Sequence, residues 1–341
     1  MKSKIFSSAI LASVVAAGFA FTACGDDNNP GNAPTDTPVA SSSSIVPVAG
    51  ESSSSVGTSE IPGSSSSAGQ VLPPEQQTDA GCAAGQVATP VDFPLNDFVD
   101  IGEIYKNIQC NEKVVFIVRH GERERFIGNE SCLTEDGFDE AVAAGKKIVG
   151  TEPFKYIFSG MTRTYQTALG FAVGRGEAVY DTTTVEDEDG VEHLAFVSPA
   201  FAPDTLKQLK DGWYIKDKDI RDAYVARDTI KNVNVMYTAW AYEGTYADAF
   251  YDIEERSLEL IGLIVKDYAS MPKYTLAASH DQVLAPLVIW ATNKQVDLKL
   301  HAINEPPPRN WLNYLAGVAI IINDKNEMRY VAVKGGDSGV Q

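Results

Sequence analysis

Two tripeptides in this chain could do chemistry together, Arg119-His120-Gly121 and Ser279-His280-Asp281. Neutral imidazole is nucleophilic near pH 7, and a guanidinium grips phosphate oxygens in a planar fork, so an Arg-His pair points to phosphoryl transfer through a covalent histidine. The plainer alternative pairs Arg119 with Glu122 and leaves His120 as a satisfied loop residue. The setting argues for chemistry. Val114-Val115-Phe116-Ile117-Val118 is an unbroken, mostly β-branched run, the pattern of a strand buried on both faces of a parallel sheet. The polar triplet follows at its carboxyl end, where open α/β sheets place their ligand chemistry, and Gly121 lets the backbone turn sharply or approach a ligand closely. Tyr274-Thr275-Leu276-Ala277-Ala278 repeats the arrangement ahead of Ser279-His280. His193 and His301 have no comparable setting and read as structural or exposed.

A further cation is placed in the same way. Lys155-Tyr156-Ile157-Phe158 reads as a strand closing on Ser159-Gly160, with a helix starting near Thr162. Arg163 then lies in a first helical turn, where the dipole disfavours it and a bound anion would explain it. Before that strand, Thr134 is a good N-cap, followed by Glu135 and Asp136 and by Phe138, Val142, Gly145 and Val149 at helical spacing. Tyr246 to Met271 reads as one long amphipathic helix ended by Pro272, and a helix carrying Leu284, Leu287, Val288 and Trp290 follows His280. Leu315–Ile322 and Met328–Val333 read as a hairpin. Between Gly174 and Gly244 the pattern is weak: an acidic turn at Glu186–Gly190, helices over Asp204–Lys210 and Asp219–Lys231, and aromatics (Trp213, Tyr214, Trp240, Tyr242) suited to core packing. This stretch is read as an insertion that caps the site.

The 341 residues carry a formal net charge of -18, 46 acidic against 28 basic. This balance argues against nucleic acid as a partner, because nucleic acid requires a basic footprint. An anionic substrate is still allowed, because charges are screened over about 8 Å at physiological salt and arginines in contact outweigh distant acids.

Lys2, Lys4 and the apolar run Ile5–Phe21 read as an export signal, at the short edge of what spans a bilayer and interrupted by Ser7, Ser8 and Ser13. Phe21-Thr22-Ala23-Cys24 resembles the lipobox of bacterial lipoproteins, with Phe21 where leucine is preferred. The resemblance implies a signal peptide over 1–23 and a lipidated Cys24 as mature N-terminus, anchored by several acyl chains. Residues 24–84 are rich in Ser, Pro and Gly, with tetraserine blocks at Ser41–Ser44, Ser52–Ser55 and Ser64–Ser67. Such a segment cannot offset its ordering entropy and reads as a disordered tether. Residues 85–341 suffice for one large α/β domain. Of Cys82, Cys110 and Cys132, one pair is expected in an oxidising compartment. Cys110–Cys132 is favoured because the two flank the central strand and its loop, with Cys82–Cys110 next, and no spacing suggests zinc.

Taken together, Arg119-His120-Gly121-Glu122, Leu133-Thr134-Glu135-Asp136-Gly137, Ser159 with Thr162-Arg163-Thr164-Tyr165-Gln166-Thr167-Ala168, and Ser279-His280 resemble, in order, the motifs of the histidine phosphatase superfamily, which includes phosphoglycerate mutases and acid phosphatases. The resemblance covers roughly residues 111 to 334. It implies a three-layer α/β/α sandwich with a mostly parallel central sheet and an inserted cap region. It further implies a phosphohistidine mechanism with His120 as nucleophile and with Arg119, Arg163 and His280 completing the phosphate pocket, and no metal or cofactor. Arg123 and Glu122 are candidates for substrate contact. For the proton donor two branches compete. The acid phosphatase branch makes it Asp281, directly after the second histidine, although proline is expected where this chain has Arg125. The mutase branch makes it a glutamate after the second arginine, and Glu186, Glu188 and Glu192 lie there without the family's surroundings. Asp281 could instead cap the helix that follows.

The expectation is an envelope-anchored phosphomonoesterase acting on small phosphorylated substrates, periplasmic or at the cell surface. The alternative is a non-catalytic module that binds phosphorylated glycans or peptides.

Overall fold

The computed structural model describes residues 81–124, 131–187, 189–228, 230, 233–298 and 311–338. Its centre is strand β2 (Glu112–Arg119), flanked by strands β7 (Tyr274–Ser279) and β8 (Ala316–Asn323). Successive side chains of a strand point to opposite faces. Val115 and Ile117 accordingly enter one hydrophobic core and Val114, Phe116 and Val118 the other, all fully buried. That two-sided burial is why the run is apolar without alternation.

The sheet has seven strands among the described residues. In spatial order they are β1 (Val99–Asp100), β9 (Met328–Lys334), β8, β2, β7, β3 (Phe154–Phe158) and β6 (Asp204–Thr205). β8 is antiparallel to both neighbours, and all others run the same way. One face is covered by helices α1 (Ile101–Lys106), α2 (Glu135–Lys146) and α3 (Thr162–Arg175). The other is covered by α5 (Asn234–Glu243), α6 (Ile253–Ile264) and α7 (Asp281–Ala291). The result is a three-layer α/β/α sandwich with a mostly parallel sheet. Helices α2 and α3 pack closely: a β-carbon at Gly174 would lie 2.1 Å from the Val142 carbonyl oxygen.

The segment between α3 and α6 holds a two-stranded hairpin, β4 (Asp181–Glu186) with β5 (Glu192–Val197), then β6, a 3-10 turn (Lys207–Leu209), α4 (Lys218–Arg227) and α5. Asp187 closes the hairpin and accepts from His193 Nε2 at 2.8 Å, so His193 is structural. Tyr214 and Trp240 are buried in the core.

Several expectations change. The helix read over Asp204–Lys210 is instead an edge strand and a 3-10 turn, because the chain leaving Pro203 pairs with the open edge of β3. The long helix shortens to α6, since Phe250 is used in a bridge to Ile215 and Asp252 caps Glu254 and Glu255 N–H. The helix over Asp219–Lys231 is α4, capped by Asp217. The disulfide joins Cys82 to Cys110, and Cys132 is a buried thiol. Cys110 precedes β2, whereas Cys132 pairs with the loop after it, where Glu124 N–H donates to Cys132 O at 2.9 Å. The eight residues of β2 hold the two apart by about 26 Å at roughly 3.3 Å per residue. Cys24, the serine blocks, Arg125, Glu188 and His301 lie outside the described residues. No described helix is long and apolar enough to cross a membrane.

Candidate active site

The carboxyl ends of β2, β7 and β3 deliver Arg119-His120, Ser279-His280 and Ser159 to one place. The His120 and His280 rings meet edge to face, with centroids 5.3 Å apart. His120 Nδ1 lies 2.8 Å from the Gly121 carbonyl oxygen, which can only accept. The ring proton therefore resides on Nδ1 and the lone pair on Nε2. Gly121 is held in turn: its N–H donates to Thr167 Oγ1 at 3.0 Å, and that hydroxyl donates to Arg163 O at 2.8 Å. A β-carbon at Gly121 would come 2.7 Å from the Gly137 carbonyl oxygen, and one at Gly137 2.3 Å from that of Glu122. The glycines thus let the loop after β2 lie against the start of α2, where Thr134 N–H donates to Glu122 O and Thr134 Oγ1 caps Gly137 N–H.

The proton on His280 is placed by a relay of hydroxyls. Thr164 Oγ1 donates to Met161 O at 2.7 Å, so Ser159 Oγ must donate to Thr164 and accept from His280 Nε2 at 2.9 Å. Neutral His280 is then protonated on Nε2, and its Nδ1 is buried with no hydrogen-bond partner among the described residues.

Arg119 is 2 % exposed. Its Nη1 donates to Leu312 O at 2.6 Å, its Nη2 pairs with Asp281 Oδ2 at 3.2 Å, and its guanidinium lies 4.6 Å from the Tyr314 ring centre. The pairing with Glu122 does not form; Glu122 has an exposed side chain and contributes its backbone to the loop. Arg163 is buried in the first turn of α3, a helix whose N-cap, Met161, offers no capping side chain and whose first turn has no acid. Nε of Arg119 and Nε of Arg163 are buried without partners among the described residues. Arg123 donates to Glu124 O and Ser131 Oγ and is half-buried. Asp281 does not act as the N-cap of α7, a position His280 occupies. Its Oδ1 accepts from Gln282 N–H at 2.9 Å and its Oδ2 from Trp311 Nε1 at 3.0 Å and from Arg119.

Burial, then the neighbouring cations, drive both histidines toward the neutral form. His120 is held well below the ordinary 6.5 by desolvation, His280, Arg119 and Arg163. His280 is lowered likewise by desolvation, Arg163, Arg119, Lys210 and Arg123. Desolvation also lowers Arg163 to about 10. Two buried guanidiniums, each with an Nε–H that has no partner among the described residues, and a helix start without a capping side chain make a cationic field beside two neutral imidazoles. An anion satisfies it.

No protein-family model and no curated protein matches the sequence. Among solved structures, the chain is similar to a phosphoglycerate mutase from Bacillus anthracis at 13 % identity, over 66 % of this chain and 92 % of that one, with a TM-score of 0.41. A putative alpha-ribazole-5'-P phosphatase from Escherichia coli gives 17 % identity, 67 % and 99 % coverage and a TM-score of 0.37. The protein histidine phosphatase SixA, complexed with tungstate, gives 15 %, 65 % and 97 % and 0.34. Similarity at this level assigns no activity; the chemistry has to be decided by the residues of this chain.

His120, Arg119, Arg163 and His280 lie together, with Arg123 near them and Asp281 paired to Arg119. Missing from the sequence reading were Tyr314, Lys210 and, above all, Asp211. Asp211 is subject to the charges of Asp281, Arg163, Arg119 and Arg123. Its only sequence signal is an Asp-Gly turn, unremarkable among 46 acids.

Proposed function

We propose that this chain is a phosphomonoesterase that works through phosphorylated His120 and is tethered to a cell envelope by lipid on Cys24. The observation that carries the enzymatic part is the bond from His120 Nδ1–H to Gly121 O, which leaves Nε2 as a free nucleophile beside cations with unused donors. Binding alone would need the cations and not a tautomer lock. Nε2 attacks phosphorus and the P–O bond to the leaving group breaks. Arg119 and Arg163 offset charge on the equatorial oxygens and are already in place before reaction, and His280 joins them once the bound anion favours its charged form. Water then attacks the phosphohistidine, the P–N bond breaks and inorganic phosphate leaves. The substrate is a small phosphate monoester, and the acidic exterior disfavours nucleic acid.

The test is turnover of 4-nitrophenyl phosphate by the full chain in detergent, from acid to neutral pH, beside His120→Ala. Turnover that His120→Ala abolishes, with a trapped phosphoryl label that is lost in acid and kept in alkali, is the expected result. A folded parent with no turnover and no label would overturn the phosphatase reading; if inorganic phosphate still bound, the chain would be a phospho-ligand binding module.

A further inference from the structure

The carboxylate nearest the expected role of proton donor is not free to fill it. Both oxygens of Asp281 are already engaged, by Gln282 on one side and by Trp311 and Arg119 on the other. Glu186 and Glu192 face each other across the exposed β4–β5 hairpin and are not among the principal charges acting on His120, His280 or Arg163. Another acid reaches the site by a different route. The segment after Pro203 is tied to the sheet twice, by Leu206 N–H donating to Phe158 O at 2.9 Å and by Ser279 Oγ donating to Leu209 O at 2.8 Å. The latter bond is made next to His280. Lys210 Cε lies 3.9 Å from where a β-carbon on Gly160 would be, so the segment crosses the strand ends above Ser159-Gly160. Asp211 follows, and Gly212, at φ +93°, turns the chain away. Beyond it Trp213 Nε1 donates to Arg256 O at 3.1 Å and Tyr214 Oη bonds to Ser257 Oγ at 2.8 Å. The backbone at Asp211 is thus held from both sides, close to His280 and above Ser159-Gly160.

We propose that Asp211 is the catalytic acid that protonates the leaving oxygen and then, as carboxylate, the base that takes a proton from the attacking water. The assignment rests on the phosphatase reading above. In the first step Nε2 of His120 bonds to phosphorus, the P–O bond breaks and the alcohol departs with the proton of Asp211. In the second, water gives that proton back to Asp211 as its oxygen bonds to phosphorus and the P–N bond breaks. Both proton and nucleophile are thereby restored.

The surroundings suit both states. Asp211 is solvent-exposed, and the charges that act on it are those of Asp281, Arg163, Arg119 and Arg123. Burial first and the Asp281 charge second push its carboxyl up to about 7, against Arg163, Arg119 and Arg123. The Tyr237 hydroxyl, which is subject to the charges of both Asp211 and Asp281, is buried nearby without a partner. A carboxyl titrating near neutrality serves as acid and base in turn.

The experiment compares the first-turnover release of 4-nitrophenol from its phosphate ester with that of glycerol from glycerol phosphate, using the full chain, Asp211→Asn and Asp211→Glu. A phenolate leaves without help and an alkoxide does not. Asp211→Asn is expected to slow glycerol release on the order of 10²–10⁴-fold and nitrophenol release far less, to flatten the alkaline limb of the pH profile, and to be partly rescued by Asp211→Glu. Equal losses for both leaving groups, or none for either, would overturn the assignment while leaving the phosphatase in place. No product release from the parent with either ester would instead overturn the phosphatase reading, and this assignment with it.

Discussion

Thr164 decides where a proton sits on His280 although it never approaches that ring. Its single hydroxyl hydrogen goes to Met161 O, which sets the direction of the Ser159 hydroxyl and leaves His280 Nδ1 able to donate only as imidazolium. In the unliganded site burial and the cations hold His280 neutral. An anion reverses the second cause and favours the charged ring. Anion binding should therefore take up a proton, and affinity should rise as pH falls toward and below 6.5, the ordinary histidine value. Sulfate, whose charge is constant over this range, is the probe. Titration calorimetry in buffers of different ionisation enthalpy should show proton uptake in the parent and less in His280→Asn, and an uptake of zero would refute the tautomer assignment. At this scale the sequence was readable wherever a reactive residue abutted a long apolar run, as Arg119, His120 and His280 do. Asp211 was not, because its position depends on two hydrogen bonds to distant strands, from Ser279 and to Phe158, that leave no local pattern.

Elements place those residues, and the contact that matters most is between the loop after β2 and the first turn of α2. Gly137 brings the two backbones together, and a methyl group there would strike the Glu122 carbonyl oxygen at 2.3 Å. Backbone cannot rotate out of the way as a side chain can, so the loop must move. Gly137→Ala should destabilise by about 1–3 kcal/mol as overpacking does. Because Glu122 is two residues from His120, it should lower kcat in protein that is still fully folded. Turnover and denaturant midpoint measured on the same sample separate the two effects, and unchanged kcat would show that the loop position is not set by this contact. The Leu133–Gly137 segment could be read from sequence because capping is local, Thr134 to Gly137. The extent of α6 could not. Its apolar periodicity continues upstream through Phe250, but that residue packs from an extended segment bridged to Ile215, a tertiary pairing that overrides propensity.

Across the whole molecule, β2 separates two jobs by its length. Its carboxyl end leads into His120; its amino end follows Cys110, bonded to Cys82, so the cross-link and the candidate site lie about 26 Å apart at roughly 3.3 Å per residue. Sequence alone favoured Cys110 with Cys132 because the two flank the central strand and its loop, whereas an eight-residue strand is an extended spacer that holds its flanks apart. The observed bridge closes a loop with a sequence separation of 28, worth about 3–4 kcal/mol by restricting the unfolded chain. That figure is an upper value, since residues beyond the loop are constrained little by it. The pair Cys82→Ala with Cys110→Ala should therefore lower the denaturation midpoint by up to this amount while kcat and KM, measured below melting, stay as in the parent. Cys132→Ala should behave in the opposite way. It removes a fully buried side chain two residues from Thr134, on the segment that pairs with Glu124, so a smaller loss of stability should come with a measurable loss of turnover. If the bridge mutant lost turnover in proportion to stability, the two ends of β2 would be coupled and the rigid strand would not be the insulator that its two-sided burial makes it.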